Sequence, residues 1–400
     1  MVNLSSAAYS KEAIVRLAVG TLVAAVGLLA VMEAPTHGLW IVAIGATEWG
    51  YWLVLPALAY ACWSSRYRGS AAETVAWRWT GRLGRLLVLV GALLLLSPLA
   101  RAWWVADRLE QAMAKAFPLS PAPRFAASPL QLKPLLSGAV QASVERRSLA
   151  YAERGGEVLA LDLFRSTTPL SPAPAVIVVH GGSWQSGNRG QLADLNYYLA
   201  SRGYVVASVE YRFAPRWPFP AARDDVRAAL AYLQTHAPEL GLDPNRLVLL
   251  GRSAGGQLAL LVAYTVGDPA IKGAIAFYAP TDLRYSYDHP SNPLVLDSRG
   301  VLRAYLGGSP DERPEAYETG SPLTFVGANT PPTLLIHGGR DELVNPIHSE
   351  RLAARLAQAA RPVFVLRLPW ATHGCDAHLS GPCGQLSTYA VERFLEAVTR

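Results

Sequence analysis

Charge is scarce in this sequence. Asp, Glu, Lys and Arg make up 16% of its 400 residues, where a soluble globular protein has about a quarter. No fixed period recurs along the chain, which excludes solenoid and propeller arrays, and 11 Trp with 17 Tyr exclude intrinsic disorder. No His/Cys/Asp cluster has metal-ligand spacing and no Gly-rich loop fits a phosphate, so neither a metal nor another cofactor is expected. Negative charge is short in one region only. Residues 1–150 carry 14 Lys/Arg against 7 Asp/Glu, a net +7, whereas residues 151–400 carry 22 against 23, a net −1. The basic residues of the first part flank apolar runs and form no polar face, which argues against a nucleic-acid surface.

Three apolar runs dominate the first part, and they are expected to be transmembrane helices at about residues 13–32, 39–63 and 84–104, within a membrane segment of residues 1–106. A cleaved signal peptide would explain one such run, not three. Basic residues set the orientation. Lys11 and Arg16 precede the first run, the 33–38 loop has no Lys or Arg, and Arg66, Arg68, Arg78, Arg82 and Arg85 crowd the second loop. Positive-inside ordering then puts the N-terminus in the cytoplasm and everything after the third run outside, although Arg101 and Arg108 weigh mildly the other way. The expected setting is a plasma membrane crossed several times, with the C-terminal part outside the cytoplasm. Glu48 is the one acid within a run. It is read as a helix start, with Trp49, Tyr51 and Trp52 as an interfacial belt, in preference to an intramembrane proton or ligand site.

After Trp103 and Trp104, the spacing of Leu109, Met113 and Phe117 predicts a short amphipathic helix on the membrane surface. Pro118, Pro121, Pro123, Pro129 and Pro134 then mark residues 107–139 as a linker. From about Val140 the pattern changes. Two runs, Val144–Tyr151 and Val158–Phe164, read as an antiparallel pair. Ala175–Val179, Tyr204–Val209, Leu247–Leu250, Gly273–Phe277, Thr333–Ile336 and Val363–Leu368 read as strands separated by helical stretches. The expected fold is α/β, a mostly parallel sheet covered by helices on both faces, with ligands beyond the carboxyl ends of the strands.

The strongest chemical signal is Gly251-Arg252-Ser253-Ala254-Gly255, a G-x-S-x-G between a strand and a helical run. A serine hydroxyl needs an oriented base to act as a nucleophile. In this strand–turn–helix context the partners follow in the order acid, then His. Asp341 follows the strand Thr333–Ile336, and His373 follows Val363–Leu368. Asp282 is the alternative acid and His378 the alternative base. His236 and His348 lie on helices and His289 in an irregular segment. His180-Gly181-Gly182 follows another strand. The backbone N–H groups of Gly181 and Gly182, with that of Ala254, are expected to form an oxyanion hole, His180 being structural. Asp224 and Asp225 read as acids at a helix start.

With these residues the sequence resembles the α/β-hydrolase superfamily. More closely it resembles the bacterial carboxylesterases grouped with acetyl-xylan and feruloyl esterases, relatives of hormone-sensitive-lipase-like esterases and kynurenine formamidases. The resemblance covers about Val140–Arg400. It rests on His180–Trp184, Tyr211–Pro215, Phe219–Ala222 with Asp225, Gly251–Gly256, Pro332–Asp341 and His373-Gly374. It implies Ser253, Asp341 and His373 as a catalytic triad with Gly181, Gly182 and Ala254 as oxyanion donors, and no cofactor. Two positions depart from the pattern: Ser183 replaces a third glycine, and Arg252 stands where relatives often carry His, Asp or Glu. Ser183, Trp184, Arg252, Trp217 and Trp370 are candidate pocket residues, and 280–330 reads as a partial lid. Cys375 and Cys383 are eight apart beside His373 and can pair in an oxidising compartment, two free thiols being the alternative; Cys62 lies in the second apolar run. The expected activity is hydrolysis of a small or lipophilic ester. Amide cleavage by the same triad and a non-catalytic scaffold are the alternatives.

Overall fold

The computed structural model describes residues 4–65, 75–119, 128–137, 143–168 and 172–400. Arg66, Arg68, Pro121, Pro123 and the expected domain start at Val140 lie outside the described residues.

The N-terminal part is helical: α1 (Leu4–Leu29), α2 (His37–Glu48), α3 (Tyr51–Ser65) and α4 (Val75–Ala114). By length and apolarity α1 and α4 are each sufficient to cross a bilayer. The second expected span is instead two helices, α2 and α3, bent by 81°. The break has a physical cause. Glu48, the last residue of α2, is buried, and its Oε2 accepts the Cys383 N–H at 2.9 Å in the first turn of a C-terminal helix. The carboxyl oxygen satisfies one of the unpaired N–H groups of that first turn. Glu48 therefore ends a helix, where the sequence suggested a start. Of the expected belt, Trp49 stacks on His378 and the Tyr51 hydroxyl donates to Leu135 O, while Trp52 is exposed.

Helices α1 and α4 run parallel and in backbone contact. A Cβ on Gly84 would lie 2.5 Å from the Arg16 carbonyl, and one on Gly91 2.6 Å from that of Val23. Small residues permit this approach. The next helix, α3, runs antiparallel to α4, with Val54 near Leu95 and Ala61 near Val88. At 1.5 Å per residue α4 is about 60 Å long, twice a hydrocarbon core. Its last turns leave the bundle, and Ala102, Leu109 and Met113, with Phe117 after the helix, are buried against the C-terminal half. The surface-lying amphipathic helix expected here is thus the end of α4, and its apolar face is taken by protein, not lipid. A short α5 (Leu132–Ser137) follows.

Among the described residues an eight-stranded sheet forms the rest: β1 (Val144–Arg154), β2 (Glu157–Ser166), β3 (Ala173–Val179), β4 (Val205–Val209), β5 (Leu242–Arg252), β6 (Ile271–Phe277), β7 (Thr333–Gly338) and β8 (Val363–Leu368). Their order is β1-β2-β4-β3-β5-β6-β7-β8, antiparallel for the first two pairings and parallel thereafter. The helices are α6 (Asp194–Ser201), α7 (Ala221–Thr235), α8 (Ala237–Leu240), α9 (Ala254–Thr265), α10 (Leu283–Asp288), α11 (Ser298–Leu306), α12 (Pro314–Thr319), α13 (Ile347–Gln358) and α14 (Pro382–Val398). Strand residues alternate between two cores because successive side chains point to opposite faces. Ile177, Ala207, Leu249 and Leu335 pack with α7, α9 and α13. Val178, Val206, Leu250 and Ile336 pack with α6, α14 and the end of α4. Helices α10–α12 occupy the expected lid region.

Candidate active site

Strand β5 ends at Arg252 and α9 begins at Ala254, so Ser253 alone makes the turn. Its backbone sits at φ 53°, ψ −123°. A non-glycine residue at positive φ is strained and persists where its surroundings hold it. Here Ser253 N–H donates to Phe277 O at 2.9 Å. The turn also brings Gly255 against β3: a Cβ there would lie 2.2 Å from His180 O, so only glycine fits.

Asp341 and His373 follow the carboxyl ends of β7 and β8, and the structure brings both to Ser253. His373 Nε2 is 3.0 Å from Ser253 Oγ, and Nδ1 is 2.7 Å from Asp341 Oδ2. With the carboxylate accepting, Nδ1 carries the proton and Nε2 accepts from the serine hydroxyl. Asp341 Oδ1 accepts the N–H groups of Leu343 and Val344 at 2.9 and 2.8 Å. Burial opposes its charge, but His373 and His337 beside it hold the carboxyl well below the usual range, so it stays ionised. The alternatives sit elsewhere. Asp282 caps α10 and pairs with Arg351, and His378 lies against Trp49. Burial pulls His180 down to about 4 and His348 to about 3, so both are neutral near pH 7. His180 stacks on Tyr211, a structural role.

The expected oxyanion donors need one correction. Gly181 N–H donates to Gln191 Oε1 at 3.0 Å and is already engaged. Among the described residues no acceptor is recorded for the N–H groups of Gly182, Ser183 or Ala254. Gln191 gave no sequence signal, since it lies in an irregular loop ten residues on.

Ser253 opens into a cavity of about 690 Å³ whose lining includes Ser183, Trp184 and Ala254. Three expected pocket residues do not line it. Trp217 lies against Gly155 at the β1–β2 turn, Trp370 is fully buried, and the Arg252 side chain points away from the cleft into a buried pair. Arg252 Nε donates to Asp376 Oδ2 at 2.5 Å, and Asp376 Oδ1 accepts the Tyr278 hydroxyl, whose ring packs on His373. Asp376 follows Cys375, which is joined to Cys383 by a disulfide. Arg252 is therefore a support for the loop that carries His373. Removing one partner of a buried ion pair strands the other's charge, at a cost of about 3–5 kcal/mol. Arg252→Ala is expected to lower Tm by about 10 °C in thermal unfolding of the detergent-solubilised chain; a Tm within a degree of the wild type would contradict this role.

The N-terminal helices also reach the site. Trp40 Nε1 of α2 donates to the His373 carbonyl at 3.0 Å. The Arg340 guanidinium donates to Leu29 O and Met32 O at the end of α1, and Glu342 accepts Ala34 N–H at 3.0 Å and the Thr372 hydroxyl. The residues on both sides of Asp341 are thus fastened to the helical segment.

This arrangement, a parallel sheet with a strand–Ser–helix turn and an acid and a His beyond later strands, defines the α/β-hydrolase fold. The family model BD-FAE matches residues 161–356. Esterase LipC of Mycobacterium tuberculosis is 32% identical over 269 residues, which is 64% of this chain and 66% of that protein. The probable carboxylic ester hydrolase LipM of the same organism is 31% identical over 267 residues, 62% of this chain and 60% of that protein. The chain thus spans less than two thirds of the length of either relative. Among solved structures, the thermophilic carboxylesterase EstE1 from a metagenomic library superposes with a TM-score of 0.58 at 25% identity, covering 66% of this chain and 93% of that one. A bacterial heroin esterase has the same fold, with a TM-score of 0.56 at 24% identity over 67% of this chain and 89% of that one. The C-terminal part of this chain has the α/β-hydrolase fold and is similar in sequence to these esterases.

Proposed function

We propose that this protein is a membrane-anchored serine hydrolase that cleaves carboxylic esters. The observation that carries the reading is the unbroken line Ser253 Oγ, His373 Nε2, His373 Nδ1, Asp341 Oδ2 at 3.0 and 2.7 Å. His373 takes the hydroxyl proton as Ser253 Oγ attacks the ester carbonyl, and Asp341 stabilises the imidazolium that results. The oxyanion is held by backbone N–H groups at the N-terminus of α9 and the 182–183 turn. The alcohol leaves with the proton from His373, and water then releases the acyl group by the same path reversed. The esterase relatives support an ester over an amide.

The packing of the helices supports three crossings. Parallel α1 and α4 require the chain to recross between them, and antiparallel α3 supplies that pass, leaving α2 at the surface. Arg16 lies level with Gly81, so Lys11, Arg16, Arg78, Arg82 and Arg85 gather at the end away from the hydrolase unit. Positive-inside ordering then places that unit outside the cytoplasm, in a bacterial periplasm or extracellular space, and the Cys375–Cys383 disulfide fits an oxidising compartment. The test is labelling with a membrane-impermeant fluorophosphonate. One adduct is expected on the peptide containing Ser253, in intact spheroplasts as in lysate, with ester hydrolysis lost in proportion. Labelling elsewhere with activity lost would sink the site, and labelling only after lysis would sink the orientation.

A further inference from the structure

The connection between α1 and α2 lines the cavity into which Ser253 opens: Glu33, Ala34 and Pro35 form part of its wall. That wall is fixed from two sides. On the acid side, Ala34 N–H donates to Glu342, and Arg340 holds the carbonyls of Leu29 and Met32. On the lid side, Asn292 Nδ2 donates to Pro35 O at 3.1 Å, and His37 N–H donates to Leu294 O at 3.0 Å. A tether would need none of these bonds.

The charge of the cleft is one-sided. Among the described residues its lining includes Glu33, Asp341, Glu342 and Glu350 but no Lys or Arg. Asp341 is matched by the imidazolium of the reaction, Glu350 is paired outward with Arg367, and Arg340, which does not line the cleft, lies behind Glu342 and within electrostatic reach of Glu33 as well. Glu33 is exposed at the wall.

We infer that the N-terminal helical segment is a working part of the active site, with Glu33 as a specificity residue that makes the cleft favour uncharged esters over anionic ones. The inference rests on the ester-hydrolase reading above. A carboxylate carried on this fastened stretch of the cleft wall repels an anionic substrate at binding and in the transition state alike, so discrimination appears in kcat/KM.

The test uses the full chain in nonionic detergent and two esters of similar shape, methyl 4-acetoxybenzoate and the 4-acetoxybenzoate anion. Their intrinsic reactivities cancel when the ratio of anion to neutral kcat/KM is compared between proteins. Glu33→Gln is expected to raise that ratio about threefold and Glu33→Lys about tenfold, both effects shrinking with added salt. If Glu33→Lys perturbs folding, Glu33→Gln, which changes charge without changing shape, carries the test. A ratio within twofold of the wild type in Glu33→Gln and Glu33→Lys overturns the inference, provided Ser253→Ala lowers turnover of both esters by several orders of magnitude. A loss of less than tenfold in Ser253→Ala overturns the reading of Ser253 as the nucleophile, which is a separate outcome.

Discussion

Ser253→Ala is expected to lower kcat on a short-chain ester by roughly 10⁴- to 10⁶-fold while leaving Tm within a few degrees of the wild type. The size follows from what is lost and what stays. Alanine removes the only hydroxyl within 3.0 Å of His373 Nε2 that the described structure records, and with it the covalent path. The oxyanion N–H groups and the cleft remain, so a residual acceleration over water and near-normal ester binding are expected. The fold should tolerate the change, because the backbone at φ 53° is held by the Ser253 N–H to Phe277 O bond, which alanine keeps. The measurement is steady-state hydrolysis by purified wild type and variant, with thermal unfolding alongside. A loss below tenfold would mean that another group is the nucleophile.

Asp341→Asn should cost about 10⁴ in kcat for a different reason. Asparagine has nearly the same shape, and its carbonyl can still accept from Leu343 and Val344 N–H. The atom facing His373 Nδ1 would then be an NH₂ donor. Nδ1 must accept, the ring proton moves to Nε2, and Nε2 can no longer take the proton of Ser253. A drop in kcat with the ester KM within a few-fold, and with Ser253 still present but poorly reactive to fluorophosphonate, is the expected signature. Unchanged kcat would show that Asp341 is not the orienting acid, and the buried network with His337 would need another purpose.

Much of the site was legible because its determinants are local. A G-x-S-x-G between a strand and a helical run can form only a tight turn, and Asp341 and His373 each stand just past a β-rich run. Chain order is equally satisfied by Asp282 and His378, which the sequence left as alternatives and the structure places elsewhere. The oxyanion turn was legible less completely: two glycines signalled open backbone, but not that Gln191 takes the Gly181 N–H. Trp217 and Trp370 show the same limit, since a tryptophan's composition says nothing about whether it faces a cleft or a core.

The apolar runs are the sharper case. Hydropathy along 39–63 is the same for a straight span and for two helices bent by 81°. The choice between them was made by Glu48 reaching the N-terminus of α14, a contact 335 positions away in sequence. Likewise the 3.6-residue stripe of Leu109, Met113 and Phe117 specified an apolar face but not its partner, and the partner is the hydrolase core. The sequence by itself pointed to a helical part followed by a sheet and to Ser253 as the candidate nucleophile, because these depend on short-range periodicity and turn chemistry. Only the tertiary structure decided that the helical segment walls the cleft and fastens the residues flanking Asp341 and His373. Those contacts join residues hundreds of positions apart, and such pairings arise only when helix ends carrying unpaired carbonyls and N–H groups are brought against a folded surface that can satisfy them.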